Sequence, residues 1–209
     1  MRRIGSVMMA KTHNRRADAM EKLRRVTWSV VAAFGILTAQ AAHGYEVSIV
    51  DLCDGPCIAV RGEMATGVAG AVQKAINENP QIKKIWLWSN GGWVDSGWWL
   101  YKTIKKNRMD TYTKRCWSAC TMAFIAGKNR ILIRGSGERG LGFHKVSVDG
   151  SVTANSLSGE GKVRNLYRKT GVKNWFIKKA FEASPHQMWY PTPRELLDAG
   201  FITAHKKIS

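Results

Sequence analysis

The chain has 209 residues, 44% of them hydrophobic, which is enough to build the packed core of one domain with a short extension. Its 33 lysines and arginines outnumber its 15 aspartates and glutamates, so the formal net charge is +18. A basic surface of this kind can bind nucleic acid, anionic lipid headgroups or an acidic wall polymer. The sequence carries no nucleic-acid-binding motif. We therefore expect no nucleic-acid partner and keep a membrane surface or the cell wall as candidate contacts.

The N-terminal segment has the order of a secretory signal peptide. Basic residues come first, an uncharged apolar stretch covers residues 26–38, and small residues follow. This order predicts export, with cleavage after Ala41 or Gly44, and hence a periplasmic or secreted location. The apolar stretch is shorter than the roughly 20 residues of a spanning helix, and an uncleaved anchor is the alternative. We assign residues 1–44 to a signal peptide with a basic extension and residues 45–209 to one domain.

Four cysteines form two groups with the same spacing, Cys53 with Cys57 and Cys116 with Cys120. An even number of cysteines in an exported chain indicates disulfides. The two local pairings are preferred, although four cysteines allow three connectivities and cross-pairing stays open. A reduced, buried pair at Cys116 and Cys120 is the other alternative. The C-x2-C and His-x3-His spacings of zinc sites are absent, so we expect no metal.

Strands and helices alternate along the first two thirds of the domain. We predict strands at residues 46–50, 57–62, 84–89, 110–113, 131–133 and 141–144, and helices at residues 67–79, 94–106 and 119–126. Strands that alternate with helices are typical of crossover units and predict an α/β fold.

The pattern changes after residue 145. Residues 148–161 are rich in serine and glycine and predict a loop, and basic helices are predicted at residues 162–169 and 172–183. A capping box at Thr192 to Glu195 predicts a last helix over residues 193–199, followed by a strand at residues 201–203.

Three segments, in a fixed order, point to chemistry. Residues 89–92, Ser-Asn-Gly-Gly, lie between a strand and a helix, where paired glycines let the backbone approach a substrate and direct N–H groups at it. Ser118 opens a short apolar helix, where an ordinary N-cap serine is the alternative. His144 ends an apolar strand 26 residues later, where a packed histidine is the usual interpretation.

Together these segments resemble the proteolytic subunit of the Clp protease, within the crotonase-like superfamily, over about residues 58–203. Residues 89–92 are similar to that family's Ser-Pro-Gly-Gly turn, and residues 117–119 to its Ala-Ser-Met nucleophile segment. Residues 143–146 are similar to its Ile-His-Gln-Pro strand end, and residues 195–203 to its closing helix. The likeness is greatest to an exported bacterial group with Cys-x-Ser-Ala-Cys around the serine. The resemblance implies a repeated β-β-α superhelix with a C-terminal helical insert.

The resemblance also implies the roles of individual residues. Ser118 would be the nucleophile and His144 its base. The backbone N–H groups of Gly92 and Ala119 would form the oxyanion hole, with Gly91 in place of Gly92 if the turn is offset. Acyl transfer of this kind needs no cofactor.

One departure from the family concerns the third catalytic residue. The family's aspartate would fall near residues 186–190, which contain no carboxylate. Candidate groups to orient His144 are Gln187, Asp149 and Asp198; otherwise the triad is degenerate. Loss of the acid could lower activity by several orders of magnitude.

Two functions follow from the sequence. The first is an exported serine hydrolase that acts on peptides and forms a homo-oligomer, with residues 145–184 as the contact element. The second is a catalytically degenerate periplasmic binding protein of the same fold. A crotonase-type acyl-CoA enzyme is disfavoured, because the signal peptide would separate it from a cytoplasmic substrate.

Overall fold

The computed structural model describes residues 44–135, 137 and 139–207. Apart from Gly44, the predicted signal peptide, including the cleavage position at Ala41, lies outside the described residues. None of the described helices has both the length and the apolar character that crossing a bilayer requires.

The described residues form one seven-stranded mixed sheet. Its strands are β1 (Tyr45–Asp51), β2 (Pro56–Gly62), β3 (Lys84–Ser89), β4 (Asp110–Trp117), β5 (Arg130–Arg134), β6 (Gly140–Gly142) and β7 (Ala204–Lys207). The strand order is β1-β2-β3-β4-β5-β7, and β6 pairs with the second half of β4. The β1–β2 pair is antiparallel and the other pairs are parallel. Parallel neighbours need long crossovers, which the helices supply.

The helices are α1 (Val68–Glu78), α2 (Val94–Lys106), α3 (Cys120–Phe124), α4 (Ala154–Lys169), α5 (Asn174–Ala180) and α6 (Pro193–Asp198). The predicted loop at residues 148–161 is wrong, because α4 begins at Ala154. A capping box starts it: the Ser156 N–H donates to the Thr153 hydroxyl, and the Thr153 N–H donates to the Ser156 hydroxyl. Val163 and Tyr167 bury one face of this helix, so packing and capping outweigh the poor helix propensity of serine and glycine.

The sheet separates a large apolar cluster from a small one. Ile58 and Leu87 point to the large cluster, where the helices pack, whereas Ala59 and Trp86 point to the small one beside the Cys53–Cys57 disulfide. This division follows from the alternation of side chains along each strand.

Strand β4 contains a bulge that the sequence analysis missed. Leu87 lies opposite Thr113, but Trp88 lies opposite Arg115, which leaves Lys114 as an extra residue. The Thr113 hydroxyl donates to the Leu87 carbonyl at 2.7 Å and accepts from the Arg115 N–H at 2.9 Å, which satisfies the backbone at the bulge. The strand predicted at residues 110–113 therefore continues to Trp117.

The C-terminal end also differs from the prediction of a strand at residues 201–203. Phe201 and Ile202 are buried in the large cluster, and the strand is β7, which begins at Ala204. The Thr203 N–H donates to the Arg130 carbonyl and aligns β7 with β5.

Candidate active site

Ser118 occupies the sharp turn between β4 and α3, with a φ of 50°. A non-glycine residue in the left-handed region costs about 1–3 kcal/mol, and such residues cluster at active sites. The Ser118 N–H donates to the Gly142 carbonyl at 2.9 Å, and its carbonyl accepts from the Thr121 N–H at 2.9 Å. A serine on a strained strand-to-helix turn is the arrangement of a nucleophile elbow.

Ser118 is not the N-cap of the following helix. Ala119 holds that position, and no side chain caps α3. The alternative of a plain capping serine is therefore wrong.

The glycine turn packs directly against Ser118. Gly91 and Gly92 have φ values of 107° and 138°. A Cβ on Gly91 would lie 2.7 Å from the Ser118 Cβ, and a Cβ on Gly92 would lie 2.7 Å from the Met64 carbonyl oxygen. Met64 also pairs with the turn, because its N–H donates to Gly91 and its carbonyl accepts from Trp93. Residues with a side chain could not make this close approach.

The two predicted glycine donors differ in availability. The Gly91 N–H donates to the Ser89 hydroxyl at 3.1 Å. Within the described chain, the N–H groups of Gly92 and Ala119 make no hydrogen bond. Gly92 and Ala119 line the same cavity as Ser118. Of the two glycines, Gly92 is therefore the one with a donor free for an oxyanion.

His144 and Ser118 are brought to the same cavity by the pairing of β6 with β4. Trp117 at the end of β4 lies opposite Gly142 at the end of β6. His144 and Ser118 both line a cavity of about 270 Å³. In the part of the chain that the structure describes, no hydrogen bond joins the two side chains, and such bonds are often long in unliganded active sites.

The imidazole of His144 is partly desolvated. Its Nδ1 atom is buried and has no hydrogen-bond partner among the described residues. Burial lowers the pKa of His144 below its ordinary value of 6.5, and the nearby backbone of Lys145 offsets part of this effect. Because burial disfavours the charged form, His144 is neutral at neutral pH and can accept a proton.

None of the three residues predicted to orient His144 bonds to it. Gln187 and Asp149 are exposed, and Asp149 lies in a tight turn with a φ of 48°. Asp198 lies on α6, with an oxygen 3.9 Å from the Arg194 guanidinium. The described site thus contains a serine, a histidine and free amides, without a third polar side chain on the histidine.

The remaining lining of the cavity contains both apolar and polar side chains. Its apolar side chains are Val94, Met122, Phe143, Val146, Val163 and Phe181. Tyr167 also lines it, and burial raises the pKa of its phenol above the ordinary value of 10.0, which keeps it neutral. The cavity therefore combines apolar side chains with polar groups, as small-ligand sites commonly do.

Thr121 supports the turn and was not found from the sequence. Its N–H and its hydroxyl both donate to the Ser118 carbonyl, and its hydroxyl lies 2.6 Å from the Tyr167 hydroxyl. A threonine three residues after the serine, inside an otherwise apolar helix, is the signal that could have found it.

Both disulfides follow the local pairing. Cys116 bonds Cys120 with a Cα–Cα distance of 5.3 Å, and Cys53 bonds Cys57 with a Cα–Cα distance of 5.9 Å. The first bridge joins the end of β4 to the first residue of α3 and so encloses Ser118. The preferred connectivity is confirmed, and all four cysteines are buried.

Comparison with known proteins gives a structural likeness only. No family model and no curated protein sequence matches this chain. ClpP1 from Listeria monocytogenes matches with a TM-score of 0.55 and 18% identity, over 72% of this chain and 91% of that chain. A point mutant of the same protein has a TM-score of 0.55 and 17% identity, over 72% and 90% of the two chains.

A third solved structure is a mutant of 1510-N, a membrane-bound stomatin-specific protease. It matches with a TM-score of 0.52 and 14% identity, over 71% of this chain and 77% of that chain. Identities this low relate folds and do not transfer activities. The chain therefore shares the α/β fold of the Clp protease proteolytic subunit.

Proposed function

We propose that this chain is a serine hydrolase that cleaves peptides, with Ser118 as the nucleophile and His144 as the base. One observation carries the proposal. Ser118 is held in the left-handed conformation on a strand-to-helix turn, and it lines one cavity with His144 and with two residues whose N–H groups are free.

The proposed reaction is acyl transfer in two steps. The Ser118 hydroxyl oxygen attacks the peptide carbonyl carbon while His144 accepts the hydroxyl proton. The oxyanion accepts hydrogen bonds from the N–H groups of Gly92 and Ala119. The intermediate then expels the amine, which takes the proton from His144. Water, deprotonated by His144, releases the acid and regenerates Ser118, so no cofactor takes part.

Several features support a peptide substrate outside the cytoplasm. The apolar side chains in the cavity can contact an apolar side chain on the acyl part of a peptide, and its polar groups can bind the peptide backbone. One structural neighbour carries the name of a stomatin-specific protease. Two disulfides are typical of oxidising compartments, in agreement with the signal peptide expected at residues 1–44. A homo-oligomer with contacts through residues 145–184 is part of the same proposal.

The test is covalent labelling with a fluorophosphonate, which reacts with activated serines. We expect the wild-type chain to be labelled, with the modified peptide mapped to Ser118 by mass spectrometry. Ser118→Ala should abolish labelling, whereas Ser158→Ala, at an exposed position on α4, should leave it unchanged. Absence of labelling in a folded wild-type chain contradicts the proposal.

The degenerate binding protein is the second candidate, and one observation favours it. His144 lacks an orienting group, and no hydrogen bond joins it to Ser118 among the described residues. This candidate predicts that peptides bind in isothermal titration while Ser118 stays unlabelled. The labelling experiment therefore decides between the two functions.

A further inference from the structure

We propose that an anion-binding groove beside the candidate active site selects peptides that carry aspartate or glutamate near the cleaved bond. The groove has a volume of about 720 Å³ and lies along the glycine turn, Asn90 to Gly92. Because it names the substrate class of the same site, the inference rests on the proposed function.

The groove is built around three side chains at the ends of neighbouring parallel strands. Arg61 on β2 lies opposite Trp88 on β3, and Trp88 lies opposite Arg115 on β4. Residues opposite each other on adjacent strands point to the same face of a sheet. The three side chains therefore form a row on the face opposite the helices, with a cation on each side of an indole. The β4 bulge places Arg115, and not Lys114, in this row.

Arg115 is positioned before any ligand arrives. Its Nε donates to the Asn90 side-chain oxygen at 2.9 Å, and its guanidinium carbon lies 4.4 Å from the centre of the Trp117 ring. No carboxylate pairs with Arg115 in the described part of the chain, so its terminal N–H groups are available. A fixed guanidinium can bind a carboxylate through two parallel hydrogen bonds.

The guanidinium group of Arg61 is also largely available to bind a ligand. Its partner is Glu46 at 3.9 Å, and the two side chains are 40% and 60% exposed, so this pair contributes little. Glu63 lines the groove as well. Glu46 and Glu63 offset part of the charge of Arg61, whereas Arg115 has no carboxylate partner among the described residues. The Arg115 end of the groove is therefore positive, which favours an acidic ligand over a basic one.

The groove is continuous with the candidate active site. Asn90 and Gly92 line both the groove and the cavity that holds Ser118. A peptide whose carbonyl oxygen bonds to the Gly92 N–H therefore lies across the glycine turn. Such a peptide can place an apolar side chain in the cavity and a neighbouring carboxylate on Arg115.

The test uses three internally quenched peptides that differ only in the residues on both sides of a central leucine. These residues are glutamate, glutamine or lysine. We expect kcat/KM for the glutamate peptide to exceed that for the glutamine peptide by about tenfold, mainly through KM, with the lysine peptide lowest. Mass spectrometry of the products shows on which side of the cleaved bond the carboxylate acts.

Charge variants assign the preference to the groove. Arg115→Gln should remove the advantage of glutamate, and Arg115→Glu should shift the preference to lysine, which a purely structural role cannot produce. Arg194→Gln, at an exposed position on α6 with a side chain 91% exposed, is the matched control and should change nothing. If the Arg115 variants do not fold, Arg61→Gln provides the same comparison.

Binding to the Ser118→Ala chain separates this inference from the proposed function, because that chain cannot cleave. Isothermal titration with the same peptides should show about tenfold tighter binding of the glutamate peptide than of the glutamine peptide. That result supports the groove even if the wild-type chain hydrolyses nothing. Equal binding of all three peptides overturns the proposed groove even if Ser118 is labelled. So does a loss of the glutamate preference in Arg194→Gln that equals the loss in Arg115→Gln.

Discussion

The reactivity proposed for Ser118 depends on its backbone conformation as much as on its hydroxyl group. Its left-handed conformation is held by bonds to Gly142 and Thr121 and by the close packing of Gly91. A hydroxyl on a fixed turn needs little reorganisation before attack. Under the proposed function, the reactivity of Ser118 therefore depends on the neighbouring groups that hold its turn.

The protonation of His144 should set the acid limb of the pH profile. Burial lowers its pKa below 6.5, and only the neutral imidazole can accept the Ser118 proton. We expect the rate of fluorophosphonate labelling to stay high at pH 6.5 and to fall only at lower pH. A half-maximal rate at or above pH 6.5 would contradict the neutral, desolvated state of this histidine.

The same pKa shift predicts a change in stability. Well above pH 6.5 the histidine is neutral in both the folded and the unfolded chain. As the pH falls, the unfolded chain binds the proton first, so the free energy of unfolding decreases. His144→Gln should reduce this decrease in urea unfolding measured at neutral and acidic pH. An unchanged pH dependence would assign it to other groups.

The hydroxyl of Thr121 should contribute to both stability and reactivity. Thr121→Val leaves the buried Tyr167 hydroxyl unpaired, which we expect to cost about 1–3 kcal/mol. It also removes a bond to the Ser118 carbonyl, so labelling should slow. Adding Tyr167→Phe should restore much of the stability but not the labelling rate. Recovery of both together would show that Thr121 acts through stability alone.

The order of the motifs made much of the site predictable. Ser118, His144, Gly92 and Ala119 became candidates because a glycine turn, a serine and a histidine come in the order of the family that the sequence resembles. They follow β3, β4 and β6, and the structure places them around one cavity. Arg115 was not found, because its position depends on a β-bulge, and a one-residue register shift leaves no clear pattern in the sequence.

At the scale of secondary-structure elements, the two disulfides form a natural comparison. Both have the same sequence separation of four residues, so each should contribute about 2 kcal/mol by loop entropy. Only the Cys116–Cys120 bridge spans the turn that carries Ser118. Removing either bridge should therefore have a similar effect on stability, whereas only removal of the Cys116–Cys120 bridge should change the reactivity of Ser118.

We predict that Cys116→Ala combined with Cys120→Ala slows fluorophosphonate labelling of Ser118 by about tenfold or more, since strain of 1–3 kcal/mol is then free to relax. Cys53→Ala combined with Cys57→Ala should lower the Tm by a similar amount without slowing the labelling. Labelling rates of the two double variants, measured well below both Tm values, provide the check. Equal rates would show that the bridge does not position Ser118.

Helix α4 shows where element prediction failed. Serine and glycine predict a loop because they favour non-helical backbone, yet α4 begins at Ala154. Its capping box and its buried residues Val163 and Tyr167 decide the outcome. By contrast, the strand at residues 84–89 and the helix at residues 94–106 were predicted with the observed bounds, because their apolar patterns are long and regular.

At the scale of the whole molecule, an aromatic cluster joins the C-terminal segment to the site. The rings of Phe143, Tyr167 and Phe176 each lie within 5.0 to 5.4 Å of the Phe201 ring. These residues come from the end of β6, from α4, from α5 and from the segment before β7. Since Phe143 directly precedes His144, the cluster also anchors the strand end that carries the proposed base.

The α/β class was predictable at this scale, whereas the closing strand was not. Alternating strand and helix patterns determine the crossovers. The residues of β7, Ala-His-Lys-Lys, are largely exposed and lack apolar alternation. Phe201 and Ile202 have the composition of a strand, but they are core residues that pack the C-terminal segment against the large apolar cluster. An exposed edge strand is defined by its pairing with β5 and not by its sequence.

Phe201 should therefore be a main contributor to the stability of the domain. Phe201→Ala removes a fully buried ring with four aromatic neighbours, and we expect the free energy of unfolding to fall by about 3–5 kcal/mol. Leu197→Ala, four residues earlier and 39% exposed, is the control and should cost far less. Urea unfolding measures both. A small decrease in the free energy of unfolding of Phe201→Ala would mean that the C-terminal segment is dispensable for stability. Residual labelling of Ser118 in that variant would show that His144 is held without the aromatic cluster.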